Sequence, residues 1–483
     1  MKTRDYILIY VNGERHEVKG EQAFWPLSDF LRYGLRRTGT KVVCAEGDCG
    51  ACTALRFAPV PGADQQADFR GINTCIYPVF LADGSHLVTV EGLAEGEQLH
   101  PVQQAMIDEY GSQCGFCTPG FVMALADMFE RDSPVTDQDI KNHLTGNLCR
   151  CTGYQPILNA AHKVRGAKFA RIKERYDDHA ITEDLKKHRQ KPVFIRHQQQ
   201  TFQSPVTVTD ATAVLANDPQ CRIYSGATDL GVRHNKAGTT AQNAVSLNLV
   251  EDLYRLERQN DVIFVGAKVS LRQLETFTEQ ECSVFADFMH IFASPQIKES
   301  ATLVGNLMNG SPIADTLPFL FAVDAQVHCC GPQGERKISI HDLFTGYKTY
   351  SLQPGEWVKG LSFQVPKTDV FCRLYKVSQR RDLDISGVNA AIVARGTPDQ
   401  VSEIKVALGG VGPTTLRLPK TEAYLQGKSF QPATVDQLEP IIRQEVTPLS
   451  DVRGTAEYRY KLAINLLRKF AHDWNATTAR ATP

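Results

Sequence analysis

Between residues 44 and 52 the chain reads Cys44-Ala-Glu-Gly-Asp-Cys49-Gly-Ala-Cys52, and a further cysteine follows at Cys75. A second group reads Cys114-Gly-Phe-Cys117 and, later, Cys149-Arg-Cys151. The C-x4-C-x2-C spacing with one later cysteine is typical of a plant-type [2Fe–2S] cluster, which is held by four thiolates. Small residues between such cysteines let backbone N–H groups approach the sulfurs. These eight cysteines therefore predict iron–sulfur chemistry.

Zinc binding and disulfide formation explain the cysteines less well. Paired C-x2-C sequences also bind zinc, but C-x4-C-x2-C is poor zinc spacing, and a single residue separates Cys149 from Cys151. A disulfide framework is typical of secreted proteins, and the N-terminal sequence shows no secretory signal. The other cysteines lack metal-like spacing and are expected to be small buried hydrophobic residues; they are Cys221, Cys282, Cys329, Cys330 and Cys372.

Length and charge restrict the class of protein. A chain of 483 residues suggests about three domains, with two to four allowed. The formal net charge of −1 gives no argument for binding nucleic acid or a membrane surface. No apolar run reaches the ~20 residues needed to span a bilayer. Free thiols with metal-type spacing are expected in a reducing cytoplasm.

The apolar pattern predicts an α+β multidomain protein, beginning with a ferredoxin-like [2Fe–2S] domain of β-grasp type over residues 1–91. Its signals are a hairpin around Asn12-Gly13, a helix after Pro26, and strands near 53–57, 73–81 and 86–90. Residues 92–166 predict a helical-bundle domain that contains the second cysteine group. Its helix signals are Thr118-Pro119 as N-cap and first helical residue and Thr136-x-x-Asp139 as a capping box.

The rest of the chain predicts a linker and two further domains. Residues 167–200 are charged and poor in apolar residues, which favours a linker, partly helical. Residues 201–370 have a mixed α/β pattern, and residues 371–483 predict a separate C-terminal α+β domain. The C-terminal domain is indicated by strands near 372–377, 386–395 and 401–409 and by a last helix with one apolar side; that side is formed by Leu462, Leu466, Phe470 and Trp474.

Two small-residue loops in the α/β region are candidates for holding a pyrophosphate. They are Ser225–Asp229 and Thr302–Asn306, where small side chains let consecutive N–H groups point into one concavity. Asp315 could accept a hydrogen bond from a ribose or a ring, or it could cap the following helix. The chain contains no G-x-G-x-x-G, no P-loop sequence, and no identifiable Ser/His/Asp or paired-carboxylate arrangement. We therefore expect redox groups and no substrate-activating catalytic residue in this chain.

Six segments resemble the xanthine dehydrogenase family of molybdenum hydroxylases, in the order in which that family has them. Three carry cysteines and resemble its iron–sulfur signatures: Glu46–Cys52, Gln113–Gly120 and Gly146–Tyr154. Three resemble its FAD-binding domain: Phe292–Lys298, Ala301–Asn306 and Ser311–Asp315. The resemblance covers nearly the whole chain.

The resemblance implies which residues hold the cofactors. One [2Fe–2S] cluster would be held by Cys44, Cys49, Cys52 and Cys75, and the other by Cys114, Cys117, Cys149 and Cys151. FAD would be lined by Ile223, Tyr224, Ser225, Gly226, Ala227, Thr228, Asp229, Leu230, Phe292, Thr302, Leu303, Val304, Gly305, Asn306, Asp315, Val358 and Lys376. Gln113 would reach a molybdopterin on a partner subunit, and Tyr347 would lie near the flavin ring where NAD docks.

The resemblance also implies a function in purine metabolism. In the family a molybdopterin domain follows the segment that this chain matches, so we expect the small subunit of a split xanthine dehydrogenase, paired with a large molybdopterin-binding subunit, as an α2β2 heterotetramer. Electrons from hypoxanthine or xanthine would pass from the partner's molybdenum through both clusters to FAD and NAD.

Alternative functions remain open at this point. The partner could oxidise an aldehyde, an N-heterocycle or carbon monoxide, or the chain could be a non-catalytic iron–sulfur sensor. Two departures from the family matter. Val304 stands where the family usually has a second glycine, and the charges over Arg380–Asp384 differ from the mammalian form, so NAD and oxygen both stay possible acceptors.

Overall fold

The computed structural model describes residues 3–59, 68–131, 134–176, 179–239, 242–367 and 369–481. The chain is a multidomain α+β protein and divides into two compact units. The first unit comprises residues 1–254, 270–272 and 293–302, and the second comprises 255–269, 273–292 and 303–483. The finer division into four domains remains a prediction.

Strands are found in both units. Those up to residue 254 are β1 (Ile7–Val11), β2 (Glu14–Val18), β3 (Thr53–Phe57), β4 (Arg70–Asn73), β5 (Ser85–Val88), β6 (Val193–His197), β7 (Gln200–Ser204), β8 (Arg222–Tyr224) and β9 (Asn243–Ser246). The later ones are β10 (Leu256–Gln259), β11 (Val262–Gly266), β12 (Gln326–Gly331), β13 (Gly334–Ser339), β14 (Phe344–Gly346), β15 (Thr349–Tyr350), β16 (Trp357–Gln364), β17 (Val370–Val377), β18 (Val388–Thr397), β19 (Gln400–Gly409) and β20 (Leu416–Arg417).

Helices connect and cover these strands. Those up to residue 254 are α1 (Leu27–Asp29), α2 (Pro101–Asp108), α3 (Thr118–Phe129), α4 (Asp137–His143), α5 (Gln155–Val164), α6 (Ile172–Arg175), α7 (His179–Arg189), α8 (Val208–Asn217) and α9 (Leu230–Ala237). The later ones are α10 (Leu271–Glu281), α11 (Ser283–His290), α12 (Pro295–Ser300), α13 (Leu303–Asn309), α14 (Leu317–Ala322), α15 (Ile340–Leu343), α16 (Pro419–Leu425), α17 (Thr434–Glu445) and α18 (Ala456–Ala481).

The first sheet of unit one has the order β2-β1-β5-β3-β4. Strand β1 pairs antiparallel with β2, as the Asn12-Gly13 turn predicts, and parallel with β5. The helix predicted after Pro26 is present as α1, which continues into a π-helical segment, Phe30–Gly34. Leu27 and Leu31 are fully buried in the core of this sheet. The ferredoxin-like fold predicted for this part of the chain is confirmed.

The strand predicted near residues 73–81 is wrong beyond Asn73. Strand β4 ends at that residue, and short 3-10 helices occupy Thr74–Ile76 and Val79–Ala82. Pro78 lies between them, and proline has no N–H group to donate to a sheet. The turn takes Cys75 out of the ladder and places its thiol against that of Cys44.

Helices α2–α5 form the helical part of unit one, with α2 against α5 and α3 against α4. The capping box predicted at Thr136 is confirmed, because its Oγ1 accepts a hydrogen bond from the Asp139 N–H at 3.2 Å. Helix α3 begins one residue earlier than predicted, so its N-cap is Cys117, and Thr118 is the first helical residue. A cysteine of the second group therefore occupies a helix N-cap, next to the backbone N–H groups that helices leave unpaired at this end.

The segment predicted as a linker is largely ordered, although residues 177 and 178 lie outside the described ranges. Helix α7 buries Ile181 and Leu185 against Leu8 and Tyr10 of strand β1. Strand β6, inside the predicted linker, pairs antiparallel with β7. These contacts place residues 179–200 in unit one instead of in a free connection.

The second sheet of unit one has the order β6-β7-β9-β8 and shares its core with the first sheet. Phe80 stacks on Phe202 with ring centroids 4.6 Å apart, and it meets Tyr224 edge-on at 5.0 Å. Helix α12, from a later part of the chain, packs on β4 in the same unit. The segment that follows β8 is thereby held next to the first cysteine group.

Unit two contains two larger antiparallel sheets, β10-β11-β16-β12-β13 and β17-β18-β19-β20. The strands predicted after residue 371 are confirmed as β17, β18 and β19. Helix α18 buries Leu466, Phe470 and Trp474 against the second sheet, as its apolar side predicts. The small-residue loop predicted over Thr302–Asn306 is helical from Leu303 onward, because Leu303 and Leu307 are one turn apart and both fully buried.

Candidate functional site

The first cysteine group converges through a series of thiol contacts. Cys44 interacts with Cys49 and with Cys75, and Cys75 interacts with Cys52. Cys49, Cys52 and Cys75 are buried, whereas Cys44 is half-buried. The Asn73 side chain donates to the Cys52 sulfur at 3.8 Å. Four thiols joined in pairs are the donor set of a two-iron cluster, in which the cysteines are shared between two metal ions.

The electrostatics of this group favour a cationic occupant. Hydrogen bonds from the thiols of Cys49 and Cys75 lower the pKa of Cys44, and the same contacts raise the pKa of Cys49 and of Cys75. Four thiolates in this space therefore repel one another unless metal ions neutralise them. The residues present fit a [2Fe–2S] cluster, which would supply one-electron chemistry here.

Backbone shape in the loop depends on two glycines. Gly47 and Gly50 have φ angles of 77° and 67°, which L side chains rarely adopt. A Cβ on Gly50 would lie 2.3 Å from the Gly146 carbonyl oxygen, so the loop has no space for one. These residues let the chain turn around the site and bring it against the second cysteine group.

The second cysteine group is closer to the surface. Cys114 and Cys151 are exposed and interact with each other, while Cys117 and Cys149 are half-buried and form another pair. Cys114 and Cys117 precede α3, and Cys149 and Cys151 precede α5. Thr152 contacts the Cys149 sulfur with its hydroxyl at 3.1 Å and its N–H at 3.5 Å. This arrangement also provides four thiols from two adjacent loops.

The pKa values in the second group diverge in the same way. The Phe116 N–H and the Cys151 thiol lower the pKa of Cys114. Burial and contact with Cys149 raise the pKa of Cys117 to about 12. Burial would raise the pKa of Cys149, but hydrogen bonds from Thr152 outweigh it and lower that pKa. In the described parts of the chain, no cluster of three His, Cys, Asp or Glu side chains already has the arrangement that holds a single metal ion. The thiols of the first group form a series of contacts, and those of the second group form two pairs.

The two cysteine groups touch through their backbones. The Leu148 N–H donates to the Cys49 carbonyl at 3.0 Å, so a ligand candidate of the first group is hydrogen-bonded to the residue before Cys149. A Cβ on Gly120, in the first turn of α3, would lie 2.2 Å from the Gly50 carbonyl oxygen. Few covalent and hydrogen bonds therefore separate the groups.

Residues of unit one form part of the predicted FAD lining. After strand β8, which contains Ile223 and Tyr224, the loop Ser225–Asp229 leads into α9. Gly226 passes so close to Ser300 that a Cβ would lie 1.8 Å from its carbonyl oxygen, and Ala227 has φ 59°. The Ser225 hydroxyl meets that of Thr302 at 3.2 Å, so the two predicted loops are in contact. Small side chains and a helix N-terminus in this place fit a pyrophosphate.

Residues of unit two contain a buried ion pair that the sequence did not predict as a pair. Lys376 donates to Asp315 and to Ser386, and Asn389 donates to Asp315 at 2.7 Å. The side chains of Lys376 and Asp315 are only 2% and 6% exposed. Asp315 is not the cap of α14, whose N-cap is Thr316. The sequence did not point to Ser386, which lies just before β18, or to Asn389, in its first residues, because neither belongs to a recognisable motif.

Other predicted residues occupy varied positions in the two units. In unit two, Asn306 accepts from Thr316 at 2.6 Å, Val358 is buried in β16, and Phe292 is half-buried. Leu303 and Val304 are buried in the first turn of α13, and Gly305 follows them. Tyr347, in the β14–β15 connection, is 59% exposed. In unit one, Gln113 is exposed in the loop before α3, next to Cys114.

Three family profiles match separate parts of the chain. Residues 89–162 match a [2Fe-2S] binding domain, residues 197–368 the FAD binding domain in molybdopterin dehydrogenase, and residues 373–474 the CO dehydrogenase flavoprotein C-terminal domain. The chain belongs to the molybdenum hydroxylase family. Its matched segments are the iron–sulfur and FAD domains of that family.

Curated relatives of this molybdenum hydroxylase chain include xanthine dehydrogenases. That of Emericella nidulans is 29% identical over 97% of this chain, and that of Drosophila subobscura is 30% identical over 96%. The chain spans 38% and 39% of the length of these two relatives.

Two solved structures share the fold of part of the chain. A Cu,Mo-CO dehydrogenase chain covers 57% of it with a TM-score of 0.54 and 24% identity. A quinoline 2-oxidoreductase chain from Pseudomonas putida 86 covers 56% with a TM-score of 0.52 and 20% identity. Among the helices of the described residues, none has the length and apolar character to cross a bilayer.

Proposed function

We propose that this chain is the electron-transfer part of a cytoplasmic xanthine dehydrogenase, carrying electrons from a partner's molybdenum site through two [2Fe–2S] clusters and FAD to NAD. The cluster ligands would be the two cysteine groups, and FAD would be bound by residues that the family resemblance implies, among them the loop after β8 in unit one. The clusters would supply one-electron steps and the flavin would couple them to a two-electron acceptor.

One observation carries the proposal: candidate redox sites of unit one are connected in series by hydrogen bonds. The second group is joined to the first by the Leu148 N–H and the Cys49 carbonyl. On the other side, the Asn235 side chain donates to the carbonyls of Ala45 and Cys75 at 2.9 and 2.8 Å. Asn235 lies on α9, directly after the candidate pyrophosphate loop. Short bonded routes of this kind suit electron transfer and have no obvious use in a scaffold.

A partner is suggested by exposed apolar residues on the segments that precede and contain the second cysteine group. Tyr110 is 82% exposed and Ile107 is 59% exposed, and Phe116, Leu148 and Tyr154 are also exposed. Apolar side chains around exposed thiols are expected to be covered by another protein surface. We define these five residues as the apolar patch. A molybdopterin-binding partner seated there would lie beside Gln113 and the outer cluster.

The choice of a purine as the partner's substrate is based on the curated relatives and not on a substrate pocket in this chain. The curated relatives are xanthine dehydrogenases, while the neighbours in fold act, by their names, on carbon monoxide and quinoline. Because no substrate-activating residues were identified in this chain, the alternatives keep its role and change only the partner's substrate. A sensor would hold iron without flavin.

The first test measures the cofactor content of the purified protein and then the activity of a variant that lacks one cluster. We expect the purified chain to contain about four iron atoms and one FAD, together with a molybdopterin protein that oxidises hypoxanthine. Cys114→Ser should remove one cluster and stop electron transfer from substrate to NAD. It should leave NADH oxidation by artificial acceptors unchanged, because the flavin is untouched.

Cys221→Ser is the matched control, since Cys221 belongs to neither cysteine group. It should retain both activities. Loss of both activities in Cys114→Ser would contradict the serial order, and iron-containing protein without flavin would favour the sensor.

A further inference from the structure

Four residues of unit one form a closed hydrogen-bonded ring between the two cysteine groups. The Gln296 side-chain amide donates to Asn147 Oδ1 at 2.9 Å and to Thr53 Oγ1 at 3.4 Å. Asn147 Nδ2 donates to the Gly50 carbonyl at 3.3 Å, and Thr53 Oγ1 donates to the same oxygen at 2.6 Å. The ring therefore runs from Gln296 through both cysteine loops and back.

Three of the four residues in the ring lie one or two positions from a candidate cluster ligand in the sequence, and Gln296 is the exception. Gly50 follows Cys49, Thr53 follows Cys52, and Asn147 is two residues before Cys149. Gln296 belongs to α12, a segment more than a hundred residues later in the chain. A side chain from outside both cysteine motifs thus bonds to the loops of both groups.

The site is built tightly around this glutamine. Gln296 is 2% exposed. A Cβ on Gly146 would lie 2.2 Å from Gln296 Oε1, so Gly146 makes room for the side chain. The Gly50 carbonyl also accepts the Thr53 N–H at 3.1 Å, giving this one oxygen three donors. Such a carbonyl has little freedom to rotate.

We propose that Gln296 is a positioning residue that fixes the two cysteine loops against each other, and so sets the coupling between the two clusters. The inference rests on the proposed function, because it requires both clusters. In the described part of the chain, the hydrogen bonds of the Gln296 side chain go to Asn147 and Thr53 and not to a cysteine sulfur, so it acts through these two residues. Its two N–H donors are the essential feature, since Asn147 Oδ1 and Thr53 Oγ1 are both acceptors toward it.

The ring is expected to affect the separation of the two cysteine groups and the reduction potentials of the clusters. The Cys49 carbonyl, beside Gly50, accepts a hydrogen bond from the Leu148 N–H, so movement of Gly50 would alter this bonded route between the groups. The peptide dipole of Gly50 lies between the loops, and its orientation contributes to cluster reduction potentials. Loss of the Gln296 donors would free this peptide and leave Asn147 with an unpaired buried acceptor.

The test uses the full chain loaded with both clusters. Gln296→Met keeps similar length without donors, and Gln296→Glu replaces the donating amide by a carboxylate. We expect both to change the magnetic splitting between the two reduced clusters in electron paramagnetic resonance spectra. At a fixed potential, the oxidised-to-reduced ratio of at least one cluster should change by up to about tenfold.

Thr53→Val is a second, nearly isosteric way to open the ring and covers the case in which neither Gln296 variant assembles. It should change the same splitting in the same direction. Gln104→Glu is the control, because Gln104 is exposed and its side chain donates to Asp108 at 2.7 Å, away from the ring. Splittings and potentials equal to the wild type in assembled variants would overturn the inference. A wild-type chain without clusters would instead overturn the proposed function.

Discussion

The Lys376–Asp315 pair shows how single residues of unit two are fixed by burial. An ammonium group has three N–H donors, and two of them are used by Asp315 and Ser386 in the described structure. In the proposed FAD site, the third would donate to the cofactor. A buried carboxylate that loses its cation is left with an uncompensated charge. Replacing one partner of the pair should therefore lower the free energy of unfolding much more than replacing both.

Lys376→Ala should therefore weaken FAD retention and destabilise unit two by about 3–5 kcal/mol. The measurement is the flavin-to-protein absorbance ratio after gel filtration, together with urea unfolding. Lys405→Ala is the control, because Lys405 pairs with Asp324 at a site where both side chains are partly exposed. An unchanged flavin content in Lys376→Ala would remove Lys376 from the FAD site.

At the scale of elements, the start of helix α2 depends on an uncharged histidine. His100 is the N-cap of this helix. Its imidazole Nδ1 accepts a hydrogen bond from the Val102 N–H at 3.3 Å, and its backbone N–H donates to the Gln103 side chain. Burial, and then the charge of Arg175, lower the pKa of His100 from 6.5 to about 4. A protonated Nδ1 could not accept this hydrogen bond, so acid should weaken the cap.

The sign of the pH effect follows from the lowered pKa. The unfolded chain binds this proton below pH 6.5 and the folded chain only near pH 4, so the stabilisation is complete above 6.5 and is lost as the pH falls toward 4. Between pH 7.5 and 5.0, wild type should lose about 2 kcal/mol more than His100→Asn, which caps without titrating. Urea unfolding at both pH values measures this difference.

The control for the histidine experiment is His472→Asn, since the His472 side chain is 77% exposed. It should follow the wild-type pH dependence. Equal pH dependence in wild type and His100→Asn would show that the cap is not the titrating group.

At the scale of the whole molecule, exposed apolar surface distinguishes one region from ordinary surface. In the apolar patch, Phe116 and Leu148 adjoin Cys117 and Cys149 in the chain, and Tyr154 accepts a hydrogen bond from the Cys149 N–H. Leu449 and Val452 of unit two are 78% and 97% exposed and are far in sequence from both cysteine groups. Isolated exposed apolar residues are common, whereas the patch places five of them on the segments before and around the second cysteine group.

Ile107→Lys combined with Tyr110→Lys should weaken binding of the co-purifying molybdopterin protein by about tenfold or more. Leu449→Lys combined with Val452→Lys should leave it unchanged. Affinity is measured by titration of the purified chain with that protein, while iron and flavin content confirm that the variants are loaded. Full affinity in the patch variant would place the partner elsewhere.

The sequence alone determined the features that depend on short spacing. The cysteine motifs, the Asn12-Gly13 hairpin and the Thr136 capping box are local, because their residues interact over a few positions. The tertiary structure decided what lies far apart in the chain: the pairing of Lys376 with Asp315 across 61 residues, the turn that carries Cys75 to Cys44, and the contact of Gln296 with Asn147 across 149 residues. No residue pattern encodes such partners, since the packing of distant elements brings them together.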